Sequence, residues 1–349
     1  MSLPPCKPRL LADPIAFFQS VLKVVSMQEL SQDAGASTVD APYFSPRRLG
    51  HVNLIVRDTD ASMRFYQDVV GFEEVYRVPA IGGGFLSNGN THHDIGMVQS
   101  SGPSGKGRPP GLNHLAFELE TEVALVEGYE RSRQDGLAFE RTLDHDIAHS
   151  AYCSDPDGNS CELYADVVRE WRTARTGEVT KPKPAWWPGK TPPNPHRNYH
   201  AEPQLRQVAH AAFHPLRTQH ATLVVADLRE SIAFYTRRIG LALQAQGDGY
   251  ALLGGRCGRR DVALVQARGQ LSPGYHHVGL EVADAGELLQ AAQRWREQGG
   301  QVERLIEHPL RTAVYITDPD GLLLQFFVDH AADHAAWRHL DREQALWIV

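Results

Sequence analysis

Two histidines and a glutamate, His51, His114 and Glu162, are the residues of this 349-residue chain best suited to chemistry. Two neutral imidazoles and one carboxylate on a common face suit a divalent first-row metal and leave coordination positions open. The set returns later in the chain as His220, His277 and Gln325, at offsets of 169, 163 and 163 residues. Gln325 is a neutral amide and a much poorer ligand. A lone histidine on a strand is more often a satisfied core residue than a ligand. Two histidines and a glutamate at matching places of a repeat reverse that weighting, because an unpaired glutamate in a sheet interior is costly to bury and a metal resolves the cost. One working metal site, in the first copy, and one that has lost its metal are expected.

The elements that must position these residues are read from the duplication. LGHVNLIVRDTDASMRFYQDVVGF answers TQHATLVVADLRESIAFYTRRIGL, NHLAFELE answers HHVGLEVA, and AYCSDPDGNSCELYAD answers AVYITDPDGLLLQFFVD. Within each copy a finer pattern runs twice. An alternating strand leads through an acidic cap into an amphipathic helix, over 60–70 and 121–135 in the first copy, and three strands follow. The DPDG at 155–158 and 318–321 reads as a tight turn joining the last two strands, since proline presets φ and glycine accepts positive φ. His51 and Asn53 share one face of the first strand by the two-residue alternation. The expected class is α+β: two tandem modules, each of paired βαβββ units forming a curved mixed sheet around a metal site. The first module spans 45–165 and is the metal-binding one. The second spans 218–330 and is degenerate. Residues 1–44 are an extension with a helix in DPIAFFQSVLKVVSMQEL, 166–217 a Pro/Trp-rich strap expected to cover Trp186 and Trp187, and 331–349 a closing helix.

Composition narrows the class. A net charge of −7 leaves no basic footprint for nucleic acid. No apolar run reaches the ~20 residues that span a bilayer, and no secretory apolar core opens the chain, so a cytoplasmic protein is expected. Four irregularly spaced cysteines read as free thiols, with Cys153 and Cys161 as buried small hydrophobes rather than a soft metal site.

These motifs resemble the vicinal oxygen chelate (glyoxalase/bleomycin resistance/extradiol dioxygenase) superfamily, and within it the type I extradiol ring-cleaving dioxygenases. The resemblance covers 49–165 in full and 218–329 in degenerate form. It implies Fe(II), with Mn(II) as the variant, on His51, His114 and Glu162, with O2 as co-substrate and a small aromatic diol as substrate. It implies His93, in the His93-Asp94 pair, as the acid–base group. Tyr152 stands ten residues before Glu162, as in the family, and His145 fills the family's further histidine position with spacing shorter by two. Asn53 matches an active-site position of some members, and His149 is a further candidate for substrate contact. A proton must leave the diol and one must reach an oxygen as the O–O bond breaks, and a histidine can do either. Glyoxalase-type members need a fourth ligand near Gly96, where no carboxylate stands in register. That favours the oxygenase over a lyase or isomerase, and the metal triad favours it over a non-catalytic small-molecule binding protein. In common two-domain members the C-terminal module is the active one. Here the order is reversed, with Gln325 for the glutamate and Arg260 for His93, although Tyr315 and His308 remain. Family analogy also implies a homo-oligomer through sheet-edge pairing.

Overall fold

The computed structural model describes residues 41–181 and 183–349. The helix expected in DPIAFFQSVLKVVSMQEL lies outside them. Alternation in HVNLIV gives β1 (Arg48–Val56), and the helix cap Asp58 follows two residues later. The Asp58 carboxylate accepts from the backbone N–H of Asp60 and Ala61 and so caps α1 (Thr59–Phe65). The helix widens into a π turn over Tyr66–Val70. Gly71, at φ 100°, then ends it in the left-handed region, where a side chain would be strained. β2 (Glu73–Val78), β3 (Gly83–Ser87) and β4 (Ile95–Gln99) complete the first unit. The second is β5 (Gly111–Glu118), α2 (Glu122–Gln134), β6 (Arg141–Asp144), β7 (Ala148–Ser154) and β8 (Ser160–Asp166). The strap contributes α3 (Trp171–Ala174) and β9 (Gly177–Glu178).

The pattern then repeats. β10 (Arg217–Val225) leads to α4 (Leu228–Ala233), a π turn, β11 (Ala242–Gly247), β12 (Tyr250–Gly254) and β13 (Val262–Gln266). β14 (Gly274–Glu281), α5 (Ala285–Glu297), β15 (Arg304–His308), β16 (Arg311–Thr317) and β17 (Leu323–Asp329) follow. The βαβββ order is therefore found four times, in two mixed sheets, as the α+β reading expects. Both DPDG segments are the expected hairpin turns, with Gly158 at φ 84° and Gly321 at φ 83°.

The first sheet runs β6-β7-β8-β5-β1-β4-β3-β2-β9 and the second β11-β12-β13-β10-β14-β17-β16-β15. β1 lies at the centre, parallel to β4 and antiparallel to β5, and β5 is parallel to β8. Val52, Leu54 and Val56 enter a core with Leu115, Phe117, Ala151, Leu163 and the helix residues Met63, Tyr66 and Leu125. The same core continues into the second module through Leu223, Tyr235 and Phe326. Full burial of each such side chain is worth roughly 1.5–3 kcal/mol. The opposite face of β1 is left for His51 and Asn53.

The modules bind each other reciprocally. Tyr235 Oη donates to Asp155 at 2.9 Å, and Tyr66 Oη donates to Asp318 at 3.3 Å. Asp155 also accepts the N–H of Asp157 and Asn159, and Asp318 that of Asp320 and Leu322. The repeated Phe-Tyr and DPDG motifs thus couple turn to neighbouring helix and lie away from the metal ligands. Tyr235→Phe is expected to cost ~1.5–3 kcal/mol, as for a buried hydrogen bond to a charged group. Tyr66→Phe, losing the longer bond, should cost less; urea unfolding of both variants checks the order, and equal stability of all three proteins would contradict it.

Two expectations need correction. The closing segment is not one helix: a 3-10 stretch, His334–His339, stops at Leu340, and Asp341 caps a separate α6 (Arg342–Ile348) with a capping box. Of Trp186 and Trp187 only Trp186 is buried, while Trp187 is 64% exposed. Cys153 and Cys161 face each other across the β7–β8 hairpin as buried free thiols. Among the described residues, no helix is long and apolar enough to cross a membrane.

Candidate metal centre

Strand register brings His51, His114 and Glu162 together. His51 on β1 stands opposite Ala116 on β5, and Ala116 stands beside Glu162 on β8. Only a methyl group separates them, so His51 Nε2 comes within 3.3 Å of Glu162 Oε2. His114, opposite Asn53, places Nε2 2.9 Å from the same oxygen. A register shift in β1 at Gly50 makes room for Tyr164: a Cβ there would lie 2.0 Å from Tyr164 Oη. The Tyr164 ring in turn backs the His51 ring at 5.2 Å between centroids. All three ligand atoms lie within 4.8 Å of one another.

The electrostatics match a cation site. Burial works to raise the Glu162 carboxyl, but hydrogen bonds from His114 and His51 outweigh it and hold it well below the usual carboxylate range. Burial pushes the His51 imidazole down to about 4, against the pull of Glu162, so the ring is neutral at pH 7. His51 Nδ1 and His93 Nε2 are buried without a hydrogen-bond partner. An ionised carboxylate buried beside imidazole nitrogens that lack partners is a place suited to a cation. These three residues could hold a divalent ion.

The surrounding candidates separate by strand face. His93, on the β3–β4 connection, packs against the His51 ring with centroids 4.0 Å apart, and its Nδ1 lies 3.4 Å from Tyr76 Oη. Asp94 shapes that connection by accepting from Ser87 Oγ and Asn88 N, so the His-Asp pair divides its work between site and loop. On β7, Tyr152 and Ser150 share the face of Glu162. Ser150 Oγ donates to Glu162 Oε1, and His145 Nε2 lies 3.1 Å from Tyr152 Oη and 3.8 Å from Glu162. Burial first, and Glu162 second, keep the Tyr152 hydroxyl protonated. Asn53 points toward Gly96: a Cβ at Gly96 would lie 2.4 Å from Asn53 Nδ2, so the place of a fourth ligand holds an asparagine amide.

His149 is not brought to the cluster. One residue before Ser150, it takes the opposite face of β7, bonds Glu122 Oε1 at 2.6 Å and stacks on Trp186. Substrate contact was expected of it, but the alternation of strand side chains turns it to the face away from Ser150 and Tyr152. Sequence reasoning also missed members of the site. Ser150 was findable by that same alternation, two positions before Tyr152. His92, paired with Asp166 at 3.1 Å, also packs beside His51 and His93. Tyr76 and Phe85, stacked at 4.3 Å beside His93, carry no signal beyond an apolar strand.

The corresponding place in the second module is filled. Arg311, aligned with Ala148 by the same 163-residue offset, extends Nη1 to within 2.9 Å of Gln325 Oε1. Gln325 Nε2 donates to Tyr315 Oη and to the Val349 carbonyl, which also accepts from His277 at 3.0 Å. Arg260, in the place of His93, pairs with Asp329. A fixed guanidinium thus holds the amide that replaces the glutamate, and the end of α6 closes over that amide. Gln325→Glu is therefore expected to pair with Arg311 and to add no metal; metal analysis of that variant should match the wild type, and a gain of one equivalent would contradict this account.

The glyoxalase/bleomycin resistance protein/dioxygenase superfamily model matches residues 48–163 and 217–326. The chain is 34% identical over 125 residues to biphenyl-2,3-diol 1,2-dioxygenase 3 of Rhodococcus globerulus, a match covering 34% of this chain and 63% of that protein. It is 26% identical over 243 residues to catechol-2,3-dioxygenase of Bacillus subtilis (strain 168), covering 67% of this chain and 74% of that protein. The matched region thus spans less than two thirds of the first relative. The fold is that of the 2,3-dioxygenase LapB from Pseudomonas sp. KL28, with a TM-score of 0.60 at 18% identity over 82% of this chain and 93% of that one. With both modules matched and the duplicated βαβββ sheets in place, this chain belongs to the glyoxalase/bleomycin resistance protein/dioxygenase superfamily.

Proposed function

We propose that this protein is an extradiol ring-cleaving dioxygenase for a catechol-type diol, acting in its first module with Fe(II), or Mn(II), and O2. The observation that carries the reading is the buried His51–His114–Glu162 set with the unpartnered His93 Nε2 beside it. Relatives named as diol dioxygenases support it. The filled second site supports confinement of the metal to 45–165.

A bound divalent ion would supply Lewis acidity to the diol oxygens and a meeting place for diol and dioxygen. His51, His114 and Glu162 would hold it from one side, leaving the other open. His93, neutral and fixed by Tyr76, can take a proton from the diol at Nε2 and return it to an oxygen as the O–O bond breaks. Tyr152, protonated throughout, can donate to a substrate oxygen while His145 orients its hydroxyl. Phe85 and Tyr76, in one cluster with Trp171 and Ile147, offer an apolar wall for the ring and exclude water. Asn53 leaves no anionic fourth ligand, which keeps an open position.

Oxygen-electrode assays with substituted catechols and iron-loaded protein test the reading. One O2 consumed per ring opened is expected. Product formed at an unchanged rate under anaerobic conditions would replace it with a lyase or isomerase.

A further inference from the structure

The strap does more than join the modules. Gly177 and Glu178 pair with Tyr76 and Arg77 on β2, near one edge of the first sheet, and Ala185 pairs with Leu143 on β6, the opposite edge. Laid flat, the seven strand spacings from β2 to β6 would span ~33 Å. The seven residue steps from 178 to 185 reach at most ~25 Å. The sheet must therefore curl, and the strap crosses the mouth of the curl, over the candidate metal centre. Lys183 lies in that crossing.

Lys183 is half-buried and has no hydrogen-bond or ion-pair partner among the described residues. Its ammonium stands 5.3 Å from the centre of the Phe85 ring, whose edge meets His93 at 4.9 Å. Behind it, Arg175 is 2% exposed and spends Nη1 on the His145 carbonyl. Its Nε and Nη2 are buried and unpartnered. Its nearest carboxylate, Asp146 at 3.8 Å, is shared with Lys181. The charge of Lys183 acts on His93, His145 and Glu162 alike. Burial, then Arg175, pushes its ammonium down to about 8, so it stays mostly charged at pH 7. Glu162 is committed to the metal centre. Two positive charges thus lie beside the cluster, Arg175 with Nε and Nη2 unpartnered and Lys183 with no carboxylate paired to it among the described residues, and such charges bind best an anion brought from outside.

We propose that Lys183, backed by Arg175, is a specificity-determining residue that selects aromatic diols bearing a carboxylate or similar anionic substituent. The inference rests on the diol reading for what the metal side of the site binds. The test is anaerobic calorimetric binding to the metal-loaded full chain, comparing 3,4-dihydroxybenzoate with 4-methylcatechol, which differ mainly by the charge. The wild type should bind the carboxylated diol at least about tenfold more tightly, as one charge-assisted contact implies. Lys183→Met should bring the ratio near one, and Lys183→Glu should invert it. Equal affinities in the wild type, or a ratio untouched by Lys183→Met, overturns the proposal. If neither diol binds, the diol reading fails, and benzoate then decides the subsite alone: Lys183-dependent binding supports it, and absence of binding overturns it.

Discussion

Glu162→Ala is expected to abolish metal retention and ring cleavage while leaving a folded protein. Glu162 is the one anion among the three proposed ligands, and it is buried, so nothing nearby replaces it. A unit charge pair at 4 Å is worth about 4 kcal/mol at an effective dielectric of 20, and more against a divalent ion. That corresponds to a loss of at least about a thousandfold in metal affinity. Removing Glu162 also takes the acceptor from Ser150 Oγ, His51 and His114, so the metal-free variant should stay folded but unfold somewhat earlier than the metal-free wild type. Metal content after dialysis, thermal melting and oxygen uptake check the three parts. Full iron content in the variant would remove Glu162 from the ligand set.

His93→Ala is expected to separate metal binding from turnover. His93 touches the His51 ring but makes no contact with Glu162, and the three proposed ligands do not depend on its presence. Loss of a positioned acid–base group lowers the rate by about 10²–10⁴-fold. Iron content should therefore stay near that of the wild type while kcat falls by that factor and KM changes little. Tyr76→Phe, which removes only the hydroxyl that fixes His93, should fall between the two proteins. A variant that loses iron and rate together would make His93 a ligand, as its proximity to His51 and His92 would then explain.

The duplication made most of the architecture legible. The two-residue alternation placed His51 and Asn53 on one face, and the repeat placed His114 and Glu162 at matching strands, so burial of the triad followed from pattern alone. Chemistry that depends on strand faces was legible only when the alternation was applied strictly. Tyr152 was assigned to the site and Ser150 could have been; His149, one residue off, was assigned against the rule and points to Glu122. What crosses the mouth was not legible at all. Lys183 and Arg175 lie in an aperiodic segment whose course is set by two edge pairings that no local signal announces. The filling of the second site was half legible. Gln325 and Arg260 declared the loss of ligand and acid–base group, but Arg311, which completes it, stands where the first copy has only Ala148.

In the second module Arg311, Arg260 and Gln325 form one network with Asp329 and the α6 end.

Heavy-oxygen-labelled O2 gives the most direct test of the central claim. With iron-loaded protein and a catechol that turns over, mass spectrometry of the ring-opened product should find both atoms of one O2 molecule in it, and none in the Glu162→Ala reaction. Product that carries no label, or wild-type levels of labelled product from Glu162→Ala, would contradict the account.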